Sequence, residues 1–169
     1  MSKVIIFDTS ILCCWLQVPG KTTCGPIDDQ WDKGRIDSKL KEEELNHSTF
    51  VLPLATIIET GNHIAQARGE RFFLARSLSE LILKATDATE PWAAFSQQAE
   101  LWTENNLRRV ANEWPQFAAQ GLGIGDITIK EVAEYYAKTR ITTVEILTGD
   151  QGLKVYEPMT PIVQPRRRR

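Results

Sequence analysis

Four acidic residues stand where apolar runs give way to helix-start signals: Asp8 after VIIF, Glu59 in LPLATIIE, Asp126 in GLGIGDITIKEV and Asp150 after VEILTG. Apolar runs of four to six residues bounded by turn signals read as buried strands. In open parallel sheets, side chains just past the carboxyl ends of the strands converge on one crevice. Four carboxylates gathered there repel one another and raise each other's pKa unless a divalent cation neutralises them. That is the electrostatic demand of metal-assisted phosphodiester hydrolysis.

Each acid also has a purely local explanation. Asp is a favoured helix N-cap, which accounts for Asp8 equally well. Thr56-Ile57-Ile58-Glu59 matches a capping box, with the glutamate reaching back to the cap. Asp126 complements a helix dipole and has Lys130 four residues on. Asp150 fits the turn Thr148-Gly149-Asp150-Gln151-Gly152. The set carries the expectation that its members do not, because chance would have to put all four at the same kind of boundary on one sheet edge. Lys130 and Lys154 are candidates for steering phosphate. His63, four residues after Glu59, could shuttle a proton but reads first as a partner-bonded surface histidine. The chain has no Gly-x-Ser-x-Gly elbow, and GLGIG is not followed by a P-loop Lys-Ser/Thr.

The elements that must position these acids follow from periodicity and punctuation. Residues 3–7 form a first strand, and ILCCWL a short apolar helix ending near Val18. Pro19-Gly20 opens a long aperiodic loop to Asp37, and residues 38–45 read as a polar helix leading to a second strand near 50–54. A helix opens at Thr56 and stops at Gly69, another covers RFFLARSLSELILKAT, and Pro91 breaks the pattern. Residues 95–114 are a helical span. The glycines of GLGIG deliver Asp126 to a helix whose Ile129, Val132, Ala133 and Tyr136 form one apolar stripe. Residues 143–147 make another strand, and 161–164 a short edge strand. Strands alternating with helices predict a three-layer α/β/α sandwich with a central, mainly parallel sheet.

Composition narrows the classes. At 169 residues, 42% hydrophobic and 25% charged, the chain is of single-domain size and can bury a core without staples. Three cysteines, without CxxC or Cys/His spacing, point away from a disulfide framework or a zinc site and toward a reducing cytoplasm. No leader-like n-region and h-region opens the sequence, and no apolar run approaches a membrane span, so a cytoplasmic protein without membrane contact is expected. Removing Arg166–Arg169 from the 20 basic residues leaves 16 against 22 acidic ones, a balance of −6. Such a body does not offer a broad nucleic-acid footprint. The arginine run reads as a solvated tail.

The order strand-Asp-Thr-Ser, Glu at a helix start, Gly-Asp opening a helix, then strand-Thr-Gly-Asp resembles the PIN-domain nucleases, from Val4 to about Tyr156. The resemblance implies one PIN-like domain over 1–164, with extra helix around 71–115 and a basic tail at 165–169. It implies that Asp8, Glu59, Asp126 and Asp150 are metal-binding catalytic acids for Mg²⁺ or Mn²⁺, that Thr148 assists, and that Ser10 orients Asp8. It further implies an endoribonuclease acting on RNA, toxin-like or defence-associated, restrained by an antitoxin or partner protein, and capable of forming a homodimer. A haloacid-dehalogenase-like phosphatase would need a second Asp where Ser10 stands. The other alternative is a non-catalytic PIN-like scaffold that binds RNA or protein.

Overall fold

The computed structural model of the chain describes residues 2–140 and 142–160. In order, the elements are β1 (Val4–Phe7), α1 (Thr9–Trp15), β2 (Thr23–Cys24), β3 (Trp31–Asp32), α2 (Lys33–Leu45), β4 (Thr49–Val51), α3 (Leu54–Gln66) and α4 (Arg71–Thr86). A 3-10 helix (Phe95–Trp102), α5 (Glu104–Ala118), α6 (Ile124–Arg140), β5 (Val144–Leu147) and α7 (Gln151–Lys154) follow. The expected edge strand at 161–164 and the arginine tail lie outside the described residues.

Four consecutive apolar residues in β1 demand cover on both faces, and a central position in a parallel sheet provides it. β1 pairs in parallel with β4 on one side and β5 on the other, giving the order β4-β1-β5. Its side chains alternate between two cores. Ile5 and Phe7 pack with residues of α1, α2, α3 and α4, while Val4 and Ile6 pack with Ile129, Val132, Ala133 and Tyr136 of α6 and with Leu153 of α7. Helices therefore flank the parallel sheet on both faces, an α/β arrangement compatible with a three-layer sandwich. Phe7 closes the site end of β1 with rings of Trp92, Phe50 and Trp15 at centroid distances of 5.2, 5.6 and 5.9 Å. Among the described residues, no helix is long and apolar enough to cross a membrane.

Several elements differ from their sequence reading, each for a local reason. The loop after Gly20 holds a two-residue antiparallel ladder, Thr23–Cys24 against Trp31–Asp32. α2 starts at Lys33 because the Asp32 side chain caps it, accepting from Arg35 N at 2.8 Å. α3 starts at Leu54, after Pro53, so Thr56 is no cap: its hydroxyl donates to Phe7 O at 2.7 Å. The expected helix over 95–114 divides at Thr103, whose side chain caps α5. Trp92 bridges to Phe50, docking residues 91–93 beside β4.

At the amino end of the strands lies an ion cluster. Glu43, 1% exposed, accepts from Lys3 and Lys39 at 2.8 Å each and from Ser48 Oγ at 2.6 Å. Both ammonium groups also reach Glu145 of β5, at 3.1 and 3.0 Å. This explains the one charged residue in the β5 run: Glu145 ties β5 to α2 and to the residue preceding β1.

Candidate active site

The parallel register sets the first two acids. Phe7 lies beside Leu147, and Asp8 N donates to Leu147 O at 3.1 Å, so Asp8 and Thr148 leave the sheet side by side. Asp8, buried, is the N-cap of α1. Its Oδ2 accepts from Ser10 Oγ at 2.6 Å, Thr148 Oγ1 at 2.7 Å and Ser10 N at 3.2 Å, and Oδ1 stays outside this network. Thr148 Oγ1 also accepts from Asp150 N at 2.8 Å, and Ser10 Oγ from Gly149 N at 3.0 Å. Ser10 and Thr148 thus fix Asp8 and join it to the turn that carries Asp150. Asp150 caps α7, accepting from Gly152 N at 2.7 Å, and is exposed. The cap and turn readings of these two aspartates hold together with their place in the site.

Glu59 sits in the second turn of α3 and turns toward α1, where its Oε2 accepts from Thr9 Oγ1 at 2.8 Å. The capping-box alternative fails because the helix begins earlier. Gly125 makes room for this carboxylate, since a Cβ there would collide with Glu59 Oε1. Gly125→Ala is therefore expected to displace Glu59 while costing no more than about 1–3 kcal/mol, because the obstructed group is the end of a flexible side chain. Thermal melts of the variant and the position of Glu59 in its crystal structure check this, and an unmoved Glu59 would mean that the backbone around residue 125 gives way instead.

Asp126 lies in the first turn of α6 and accepts from Gly123 N at 2.7 Å. Burial pushes its carboxyl up, the Gly123 N–H works against that rise, and the charges of Asp8, Asp150 and Glu59 push it up further. Four acids widely spaced in sequence therefore share one electrostatic environment. All four line a cavity of about 350 Å³. Among the described residues, no three His, Cys, Asp or Glu side chains close into a ready metal cage. The four carboxylates, hard oxygen donors spaced around an open cavity that His63, Cys13 and Cys24 also line, suit a hard cation such as Mg²⁺, which keeps several of its waters. Cys13 also lines the cavity, but burial pushes its thiol up to about 11, so it offers no thiolate at neutral pH.

The two predicted phosphate-steering lysines do not line this cavity. Lys130 Nζ bonds Glu134 at 2.6 Å and lies 5.8 Å from the centre of the Phe117 ring. Lys154 Nζ bonds Glu157 at 2.6 Å and Ile146 O at 2.9 Å. Helical spacing accounts for both, because a glutamate stands at i+4 or i+3 and takes the charge. Among the described residues, the cation lining the cavity is Lys21, accompanied by His63. Burial, followed by the Lys21 charge, holds the His63 imidazole below its ordinary range against the pull of Glu59. No periodic signal marks Lys21, which lies in the aperiodic loop after Pro19-Gly20. The length of that loop was its one signal. On the other side of Glu59 runs an apolar groove of about 230 Å³, lined by Ile58, Trp102, Leu107 and Ile124 among others.

The fold and site together define an α/β protein whose parallel sheet carries an acidic crevice at its carboxyl edge. Comparison with family models, with curated proteins and with solved structures returns no match for the chain.

Proposed function

We propose that the chain is a metal-dependent endoribonuclease of the PIN-domain type. The observation that carries this reading is the convergence of Asp8, Glu59, Asp126 and Asp150 on one cavity. Asp8, Glu59, Asp126 and Asp150 would hold Mg²⁺ or Mn²⁺. Bound there, the cations supply the Lewis acidity of two-metal phosphodiester hydrolysis. The protein's own groups set the geometry: Ser10 and Thr148 lock Asp8, Thr9 locks Glu59, and the Gly123 N–H locks Asp126. RNA as the substrate, a toxin-like or defence-associated role in the cytoplasm, an inhibitory antitoxin or partner protein and a homodimer all rest on the family resemblance. A single PIN-like domain over 1–164, with the helices at 71–115 as an insertion and a basic tail at 165–169, belongs to the same reading.

The second reading is a non-catalytic PIN-like scaffold that binds RNA or protein. Purified protein incubated with labelled single-stranded RNA, structured RNA and single-stranded DNA in Mn²⁺, Mg²⁺ or EDTA separates the two. Metal-dependent RNA cleavage is expected. Folded protein that cuts none of them, and shows no heat on titration with Mn²⁺, would be the scaffold.

A further inference from the structure

A second cavity, of about 360 Å³, adjoins the acidic one and shares Gly20, Lys21 and His63 with it. Its far wall adds Arg68, just beyond the end of α3. The two together form one trough that runs from carboxylates at one end to cations at the other. Neither Lys21 nor Arg68 is ion-paired with any described residue, and both are exposed. Among the described residues, Lys3, Lys33, Arg35, Lys39, Arg76, Arg109, Lys130, Lys138 and Lys154 face carboxylates within 4 Å, whereas Lys21 and Arg68, like Lys41, Lys84 and Arg108, do not, and of these Lys21 and Arg68 line the two cavities. The Pro19-Gly20 turn presents Lys21, whose N–H is pinned to Val18 O at 2.8 Å. Apart from Gly20 itself and its neighbours Pro19 and Lys21, no described atom lies within 4 Å of where a Gly20 Cβ would be, so the wall shared by the two cavities is open there.

We propose that Lys21 and Arg68 form a binding site for a backbone phosphate next to the one presented to the acids, with His63, which lines both cavities, as a hydrogen-bonding group. The proposal rests on the nuclease reading and deepens it: the substrate is a strand that continues past the cut, laid from the acid cavity across Lys21 to Arg68. Charge order sets this direction, because among the described residues lining the two cavities the cations Lys21 and Arg68 stand on the Gly20 side. Against the acidic body of the chain, this local reversal of sign favours nucleic-acid contact at the trough.

The test is fluorescence anisotropy of a labelled eight-nucleotide single-stranded RNA in EDTA, titrated from 50 to 200 mM salt. It compares wild type with Lys21→Ala/Arg68→Ala and with the control Lys41→Ala/Lys84→Ala, which removes two exposed cations elsewhere. For single strands each neutralised phosphate contributes roughly 0.7 to the salt slope, so losing one or two contacts should weaken binding roughly 5- to 25-fold at 0.1 M salt and flatten the slope by about 0.7–1.4. The control should match wild type. Binding undetectable in wild type, equally weak in the control, or unchanged with the same slope in Lys21→Ala/Arg68→Ala overturns the phosphate site. Metal-dependent cleavage, scored separately, decides the nuclease reading: a trough variant that loses binding while wild type never cuts keeps the site and removes the enzyme.

Discussion

Asp126→Asn is expected to abolish metal-dependent cleavage while leaving the protein at least as stable as wild type in EDTA. Loss of a metal ligand should exceed the roughly 10–100-fold penalty typical of losing a side chain that only supports one. The stability side follows from linkage. The Asp126 carboxyl is raised above its ordinary value of 3.8 in the folded state, chiefly by burial and then by the other three acids. At neutral pH its ionised form is therefore a cost to folding, relieved only as pH falls through the raised pKa. Asparagine removes the charge and keeps an oxygen for the Gly123 N–H. In saturating Mn²⁺ the order reverses. At 100 times its Kd, a cation that binds only the folded state adds about 2.7 kcal/mol, or roughly 5–10 °C in a chain of this size. Wild type should gain this and Asp126→Asn most of it not. Thermal melts with Mn²⁺ and with EDTA, run beside the cleavage assay, read both effects. An undiminished Mn²⁺ shift or undiminished turnover in the variant removes Asp126 from the site.

The second large effect lies at the other end of the sheet. Glu43→Gln should cost about 3–5 kcal/mol, the usual penalty for removing one partner of a buried ion pair. It leaves Lys3 and Lys39 sharing Glu145 alone. Burial opposes the charge on Glu43, but hydrogen bonds from Lys3, Lys39 and Ser48 prevail and hold its carboxyl down to about 2 from 4.5. A depressed carboxyl contributes stability that is complete above its unfolded pKa and disappears as pH falls through the folded one. The window here is about pH 4.5 to 2, and the amount is on the order of 3 kcal/mol. The same contact raises Lys3 above its ordinary range, so its side of the bond persists through neutral pH and weakens only in strong alkali. The two shifts describe one cluster and do not add. Urea denaturation of wild type and Glu43→Gln from pH 3 to 7 should give curves that converge toward the acid end. A constant gap across that range would show that the cluster's charge is not what holds these elements together.

The parts of the fold legible in the sequence are those where one local signal dominates. VIIF and VEIL are buried strands because both sheet faces need apolar cover, and Asp8, Asp126 and Asp150 fall at helix starts because their side chains do bond first-turn N–H groups or the residues just before them. Glu59 was legible as an acid but not in its partner, since Thr9 is 50 residues away. Where two local signals compete, the sequence pattern alone is ambiguous. Thr56 imitated a cap, yet Pro53 had already started α3 and turned the hydroxyl inward to Phe7 O. Lys130 and Lys154 carried charge of the right sign, but near neighbours at helical spacing neutralise it. Lys21 and Arg68 had no periodicity to betray them, because a loop and a helix end meet only in three dimensions.

The central place of β1 bears on how the molecule comes into being. β1 is the middle of the described parallel sheet and precedes both of its neighbours in the chain, and one of them is β5. Asp8 is fixed by Thr148, 140 residues later, and the last acid follows two positions after that. At ribosomal speeds of about 5–20 residues per second, that interval is roughly 7–28 s. Throughout it the emerging chain carries its first acid without the partner that orients it. The acidic crevice is thus finished only when synthesis has reached residue 150, and no shorter nascent fragment carries a complete one.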